Sequence, residues 1–174
     1  MNEPRLYILC GLPYAGKTTL AKELVKRFGF VYIDIDQINT NFDVGLVGAP
    51  ISPEAWKRTY TEAYKQLKDA LGAGQSVLFE GASYTKELRD QLRTIAFERE
   101  GVSQVIYVDI SESEARQRLH SNRITQHRHD VHDDNFAIVA NHFEPPAQEE
   151  QVLYFLQSEP LEEWILQNFK TTNF

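Results

Sequence analysis

The sequence predicts an α/β fold in which a parallel sheet lies between layers of helices, a three-layer α/β/α arrangement. Three observations predict it. Five apolar runs, Leu6–Cys10, Val31–Ile33, Val77–Phe79, Val105–Val108 and Val152–Leu156, are continuous rather than alternating, as expected of strands buried on both faces of a parallel sheet. Segments of helical period separate them, and such alternation of strand and helix marks a doubly wound sheet. The third observation is the octet Gly11-Leu12-Pro13-Tyr14-Ala15-Gly16-Lys17-Thr18, which matches G-x-x-x-x-G-K-[ST] and joins the first run to the first helical segment. That strand–loop–helix context is the one this phosphate-binding motif requires.

The first strand runs straight into the glycine-rich loop. Glycines let successive N–H groups turn inward as an anion nest, and the following helix points the positive end of its dipole at the same spot. That helix carries Leu20, Leu24 and Phe28 four residues apart, with Ala21 and Val25 beside them. In this arrangement Lys17 reaches the β- and γ-phosphates of a nucleotide and the Thr18 hydroxyl holds Mg²⁺. Gly11, Pro13, Tyr14, Ala15, Gly16 and Thr19 complete the expected cradle. The Tyr14 ring is expected to pack, exposed, over the loop rather than to contact a substrate.

The second strand ends Ile33-Asp34-Ile35-Asp36. Side chains two apart on a strand face the same way, so both carboxylates are expected to project to one side at the edge where ligands bind, beyond the carboxyl ends of parallel strands. Asp34 is assigned to Mg²⁺ and Asp36 to the proton of an attacking hydroxyl. The alternative is that either Asp caps a segment beginning at Gln37-Ile38. Trp56, Tyr60, Tyr64, Leu67 and Leu71 then form a helical stripe. Leu71-Gly72-Ala73-Gly74-Gln75 echoes the signature of transporter ATPases, but it follows a helix and precedes a strand, so it reads as a glycine-rich helix stop. The third strand ends in Glu80-Gly81 and the fourth in Asp109. Each looks like a Walker B acid; Glu80 is the favoured Mg²⁺ ligand, and Asp109, ahead of Ile110-Ser111, has helix capping as its other reading. Between them, Leu88, Leu92, Ile95 and Ala96 form another stripe.

Residues 116–132 are rich in Arg and His, and the helix there has Ala115 and Leu119 as its chief apolar residues. Guanidinium groups suit phosphoryl oxygens because they offer a planar, permanently charged fork of donors. A short lid over about 116–132 is expected to bring Arg123 and Arg128 to the γ-phosphate as catalytic groups and to exclude water. Other arginines of the segment pair with Glu112 and Glu114 on a solvated face. His127, His129 and His132, beside Asp130 and Asp133 and with no Cys, read as exposed lid residues rather than a metal site. Phe136, Val139, Ala140 and Phe143 form the next stripe, stopped by Glu144-Pro145-Pro146. The last strand and a helix bearing Leu161, Trp164, Ile165 and Phe169 close the chain.

The 174 residues carry a net charge of −7 and fit one domain over 1–174. The acidic balance, with pI near 5.2, argues against extended binding to nucleic acid, whose footprint is a basic patch, while leaving room for a small basic cleft. No apolar run approaches the ~20 residues of a membrane span, so no membrane partner is expected. With Cys10 as the one cysteine and no signal-peptide pattern, a reducing, cytoplasmic location is expected. Cys10, closing an apolar strand, reads as a core residue.

The chain resembles the small P-loop kinases, the group of polynucleotide 5′-hydroxyl kinases, zeta-toxin-like kinases, shikimate and gluconate kinases and nucleoside monophosphate kinases. The resemblance runs from Leu6 to about Phe169 and rests on Gly11–Thr18, Asp34-Ile35-Asp36, Val77–Gly81, Arg116–Arg128 and the final strand and helix. It implies the P-loop NTPase fold, a five-stranded sheet of order 2-3-1-4-5, with Glu80 beside the phosphate loop near Mg²⁺. It implies an acid after strand two on the acceptor hydroxyl, matching Asp36, and lid arginines on the phosphates of ATP. The arginine spacing departs from the adenylate-kinase pair four residues apart, so the roles of Arg116, Arg118 and Arg123 stay open. The implied cofactors are ATP and Mg²⁺, and the implied reaction moves the γ-phosphoryl group to a hydroxyl of a small molecule. A polynucleotide 5′-hydroxyl acceptor is the alternative, and Phe143-Glu144-Pro145-Pro146 with Glu149 resembles that branch; the acidic charge favours the small acceptor. A GTPase would carry N-K-x-D, which is absent. A plain ATPase or a non-catalytic ATP-binding regulatory protein are the other readings. Asn39, Asn41, Asp43, Trp56, Arg58 and Tyr60 are candidates for choosing the acceptor.

Overall fold

Five strands, β1 (Arg5–Cys10), β2 (Val31–Asp34), β3 (Val77–Glu80), β4 (Val102–Asp109) and β5 (Val152–Leu156), pair in parallel in the order β2-β3-β1-β4-β5. This is the expected order. The computed structural model describes residues 3–42, 51–126, 131 and 133–169. The expectations for Asp43, His127, Arg128, His129, Asp130 and His132 fall outside the described residues.

Seven helices connect the strands: α1 (Lys17–Phe28), α2 (Ile35–Asn41), α3 (Pro53–Gly72), α4 (Lys86–Phe97), α5 (Glu112–Thr125), α6 (Asp133–His142) and α7 (Leu161–Asn168), among the described residues. A 3₁₀ turn at Gln148–Glu150 precedes β5. Strand pleating sorts the core into two layers. Tyr7, Leu9, Leu78, Ile106 and Val108 pack with Leu20 and Leu24 of α1, Leu119 of α5 and Trp164 of α7. Leu6, Ile8, Val77, Phe79 and Val105 pack on the opposite face with Leu67 and Leu71 of α3 and Leu92 and Ile95 of α4. Each Leu so buried contributes about 1.5–3 kcal/mol. The run over 152–156 departs from two-sided burial: β5 pairs with β4 alone, and its Tyr154 and Leu156 are each 47% exposed. An edge strand has one neighbour, so its apolar run covers less surface.

Side-chain caps set where the helices start. Ser52 accepts a bond from the amide of Ala55 (3.1 Å) ahead of Pro53, Thr85 from Leu88 (3.3 Å) and Ser111 from Glu114 (3.2 Å), each satisfying an amide that the helix leaves without a partner. Ser111, not Asp109, therefore caps α5; the Asp109 carboxylate accepts the Tyr107 hydroxyl at 2.9 Å. The extended reading of Ile33-Asp34-Ile35-Asp36 also ends early. Asp34 caps α2, its carboxylate accepting the amide of Asp36 at 2.9 Å, and Asp36 sits in the first helical turn. Ile35 and Ile38 bury on the inner face of that helix, so helical spacing buries apolar surface that an extended chain would turn outward. No helix among the described residues is long and apolar enough to cross a membrane.

Candidate functional site

The phosphate loop leaves β1 at Gly11, whose φ is +145°; a Cβ there would stand 2.5 Å from the Val108 carbonyl oxygen. Only glycine tolerates both conditions. Tyr14 (φ 65°) and Gly16 (φ 97°) continue the turn, and Gly16 opens α1 without a side-chain cap. The α1 N-terminus therefore presents its amides and the positive end of its dipole beside the loop. Gly11→Ala is expected to lower stability by about 1–3 kcal/mol through backbone strain and to weaken ATP binding, checked by thermal unfolding and nucleotide titration; an unchanged melting temperature would show that the loop relaxes freely.

The Lys17 ammonium donates to the carbonyls of Gly11 (3.0 Å) and Leu12 (2.8 Å), which hold its charge over the loop. The Thr18 hydroxyl donates to Glu80 at 2.8 Å, and the Tyr32 hydroxyl donates to the other Glu80 oxygen. Asp34 and Glu80 are register partners across β2 and β3, and the Tyr32 hydroxyl lies 3.4 Å from the Asp34 carboxylate. Burial pushes the Glu80 carboxyl above its ordinary range against the opposing pull of Lys17. Hydroxyl and carboxylate oxygens are the donors Mg²⁺ prefers, and it takes few protein ligands because it keeps waters and substrate phosphates. The donor set at Thr18, Asp34 and Glu80 fits that pattern, and among the described residues no cluster of three or more His, Cys, Asp or Glu forms a closed cage.

These groups open into one cavity of about 530 Å³. Gly11, Pro13, Gly16, Lys17 and Thr18 line one part; Asp34, Asp36 and Glu80 follow; Trp56, Tyr60, Tyr64, Tyr84 and Leu88 form a wall, with Asn135, Ile138 and Val139 of α6. Asp109 is not among the lining residues. Ala15 is buried, and its carbonyl accepts the Gln157 amide at 2.9 Å, while Thr19 faces solvent; neither lines the cavity. The Tyr14 ring is buried rather than exposed. Its hydroxyl accepts from the Asn122 amide and from the amide of Val131, each at 3.3 Å, so donors on α5 and before α6 draw the ring inward. Of the acceptor-choosing candidates, Trp56 and Tyr60 line the cavity. Asn39 is buried and accepts the Thr59 hydroxyl at 2.6 Å, and Arg58 lies over the Phe42 ring at 3.9 Å.

The described arginines of α5 serve local packing. Arg116 pairs with Glu112 and lies 4.8 Å from the centroid of the Phe136 ring. Arg118 pairs with Glu114 and donates to the Tyr14 carbonyl (3.2 Å) and the Gln157 side chain (3.3 Å). Arg123 forks onto Asp133 (2.8 and 3.2 Å) and donates to the Val131 carbonyl, joining the end of α5 to α6. It does not line the cavity. Arg118 and Gln157 thus grip the phosphate loop from behind, a contact between distant segments that no local pattern announces.

Arg89 is a larger omission. It is fully buried and forks onto Glu150 (2.8 and 2.9 Å). Its remaining donor atom reaches the carbonyls of Ser83 (2.9 Å) and Glu144 (3.0 Å), and Arg93 adds a second cation to Glu150. The Ser83 hydroxyl donates to the Leu9 carbonyl at 2.6 Å, and the Ala82 amide donates to the Tyr60 hydroxyl at 3.1 Å. Residues 81–84, which line the cavity, are thereby fastened to α3, α4 and the turn before β5. Burial raises the Glu150 carboxyl, but Arg89, the Ala147 amide and Arg93 outweigh it and hold it at about 2. Cys10 is a core thiol, pushed up to about 11 by burial. The readable signal was spacing: Arg89, Leu92 and Ala96 share one helical face, so a charged residue stands in an apolar stripe.

Residues 6–146 match the AAA domain family AAA_33. No curated protein matches the sequence. Kti12 of Chaetomium thermophilum, solved in complex with ADP-AlF3, superposes with a TM-score of 0.72 at 21% identity, covering 93% of this chain and 94% of that one. A gluconokinase from Sinorhizobium meliloti 1021 gives 0.66 at 17% identity, covering 96% and 90%. The Mycobacterium tuberculosis APS kinase CysC, solved with AMPPNP and APS, gives 0.65 at 13% identity, covering 96% of each chain. At these identities the likeness establishes a shared fold. The family match spans most of the chain, and with that fold it makes the chain a member of this AAA domain family and a small P-loop kinase-like protein.

Proposed function

We propose that the chain is an ATP-dependent phosphotransferase that moves the γ-phosphoryl group of Mg·ATP to a hydroxyl of a small molecule. The observation that supports this reading is the shared cavity, which Asp36 lines together with the phosphate loop and with Trp56, Tyr60 and Tyr64 of α3. A nucleotide tail on the loop amides and an alcohol against that wall would meet beside Asp36. Lys17 exchanges its two loop carbonyls for phosphoryl oxygens, and Asp36 orients the hydroxyl and takes its proton, so that catalysis is chiefly positioning and electrostatics. Thr18, Asp34 and Glu80 are the protein oxygens assigned to Mg²⁺, which supplies charge neutralisation on the phosphates. Arg123, after releasing Asp133, and Arg128 are assigned to the transferring group. The net charge of −7 supports a small acceptor over a polynucleotide, as do gluconokinase and APS kinase among the structural neighbours.

Asp36→Asn keeps the shape and removes the base. It is expected to lower kcat by about 10²–10⁴ with ATP affinity unchanged, measured by steady-state kinetics and nucleotide titration on an acceptor found by screening sugars, nucleosides and other alcohols. A variant that turns over at the wild-type rate would remove Asp36 from the reaction.

A further inference from the structure

Resting on the phosphotransfer reading above, we propose that the acceptor is a non-anionic alcohol with a flat, apolar body held against the aromatic face of α3. Two independent features of the cavity lead there, its surface and its charge.

Trp56, Tyr60 and Tyr64 recur four residues apart on one face of α3, the spacing at which helical side chains neighbour each other. Their ring centroids stand 6.0 Å and 5.7 Å apart, and Tyr64 stacks on Phe79 at 6.4 Å. All three line the cavity and are only partly buried. The Tyr60 hydroxyl holds the Ala82 amide, which ties its ring to the loop after β3. Leu88, Ile138 and Val139 add aliphatic surface to the same cavity. Aromatic rings offer large contact area at low entropic cost and stack best on flat or apolar partners.

The charge is one-sided. Among the described lining residues Lys17 is the sole cation, and it belongs to the phosphate loop; Asp34, Asp36 and Glu80 are acidic. Lys57, Arg58, Lys65 and Lys86, close in sequence to this wall, do not line the cavity; Arg58 lies over the Phe42 ring, and Arg89 and Arg93 are held by Glu150. A carboxylate or phosphate on the acceptor would enter beside these carboxylates, and among the described lining residues the one cation, Lys17, is given to the nucleotide, which selects against anionic acceptors by repulsion and unpaired desolvation. A neutral or protonated acceptor meets no such barrier, and an ammonium gains from the ring faces.

The test is calorimetric binding to the wild-type protein saturated with AMPPNP. Two matched pairs serve as probes, uridine against uridine 5′-monophosphate and a phenyl-substituted diol against its carboxylate analogue. The neutral member of each pair is expected to bind at least about tenfold more tightly. Trp56→Ala is expected to weaken neutral binding by about the same factor. Ile138→Lys, at a position 50% exposed where a charge is tolerated, is expected to narrow the neutral-to-anionic ratio by about tenfold. Equal or tighter binding of the anionic members, absence of binding by either neutral probe, or an unmoved ratio in Ile138→Lys would overturn the proposal. If the binding order holds and no probe receives phosphate from ATP, the ligand class stands and the phosphotransfer reading falls. If anionic alcohols are phosphorylated in preference, the phosphotransfer reading stands and the ligand class falls.

Discussion

Lys17→Ala is expected to lose about a hundredfold or more in turnover, the scale of removing one preorganised donor from a developing charge, with its melting temperature and helical content close to wild type. The Lys17 ammonium donates to the carbonyls of Gly11 and Leu12 in the loop, whereas α1 is anchored by Leu20, Ala21 and Leu24. Its charge therefore serves the loop mouth more than the core. Lys17→Arg should not restore turnover, because a wide planar fork does not replace a compact ammonium inside a tight loop. Steady-state kinetics with circular dichroism on the same samples checks both variants. A Lys17→Ala protein with wild-type turnover would remove Lys17 from the chemistry.

Arg89→Met is expected to cost about 3–5 kcal/mol of stability, the usual penalty for leaving a buried charge without its partner. The side chain is fully buried, and its loss takes the two-pronged partner from Glu150, itself buried, leaving it Arg93 and the Ala147 amide. The pH dependence carries the diagnostic sign. In the wild type the Glu150 carboxyl titrates at about 2, below the ~4.3 of an unfolded Glu, so the unfolded chain binds the proton first. The stability this gives is full above pH ~4.3 and disappears as pH falls toward ~2. In Arg89→Met the carboxyl loses the strongest of the partners that hold it down and moves upward against the pull of Arg93 and the Ala147 amide, so the variant should be weaker than wild type at pH 7 and the gap should shrink in acid. Urea unfolding at pH 7 and near pH 3 measures it. A gap that does not shrink would mean that Glu150 is not the group whose titration the substitution changes. Because the pair secures residues 81–84, turnover should also fall at temperatures where the variant is still folded.

The parts of the fold that were legible in the chain are those specified by local pattern. The octet at Gly11–Thr18, the apolar runs and the stripe Leu20–Leu24–Phe28 each report a face or a turn, and faces are what periodicity encodes. The Asp34–Asp36 segment shows the limit: the strand spacing and the helix spacing both fit four residues, and the choice was made by a cap and by burial of Ile35 and Ile38, which depend on α2 packing beside α3. Tyr14 shows another. Its position in the motif is free, and among the described contacts the donors of Asn122 and Val131, more than a hundred residues away, hold it turned inward. Arg123 likewise found Asp133, an acid noted in the sequence only as part of a histidine cluster. The Arg89–Glu150 pair and the Gln157–Ala15 contact join segments 61 and 142 residues apart; hydrogen-bond partners at such separation are set by tertiary packing and leave no periodic trace. The sheet order came from resemblance, not from spacing, because a run of apolar residues does not name its neighbour.

The most direct measurement of the central claim follows the fate of labelled γ-phosphate. Wild-type protein is incubated with γ-labelled ATP, Mg²⁺ and a panel of neutral alcohols, and the products are resolved by mass. Label bonded to an alcohol oxygen, dependent on both Lys17 and Asp36, is the expected result. Label released only as inorganic phosphate, at one rate with or without any alcohol, would contradict the account.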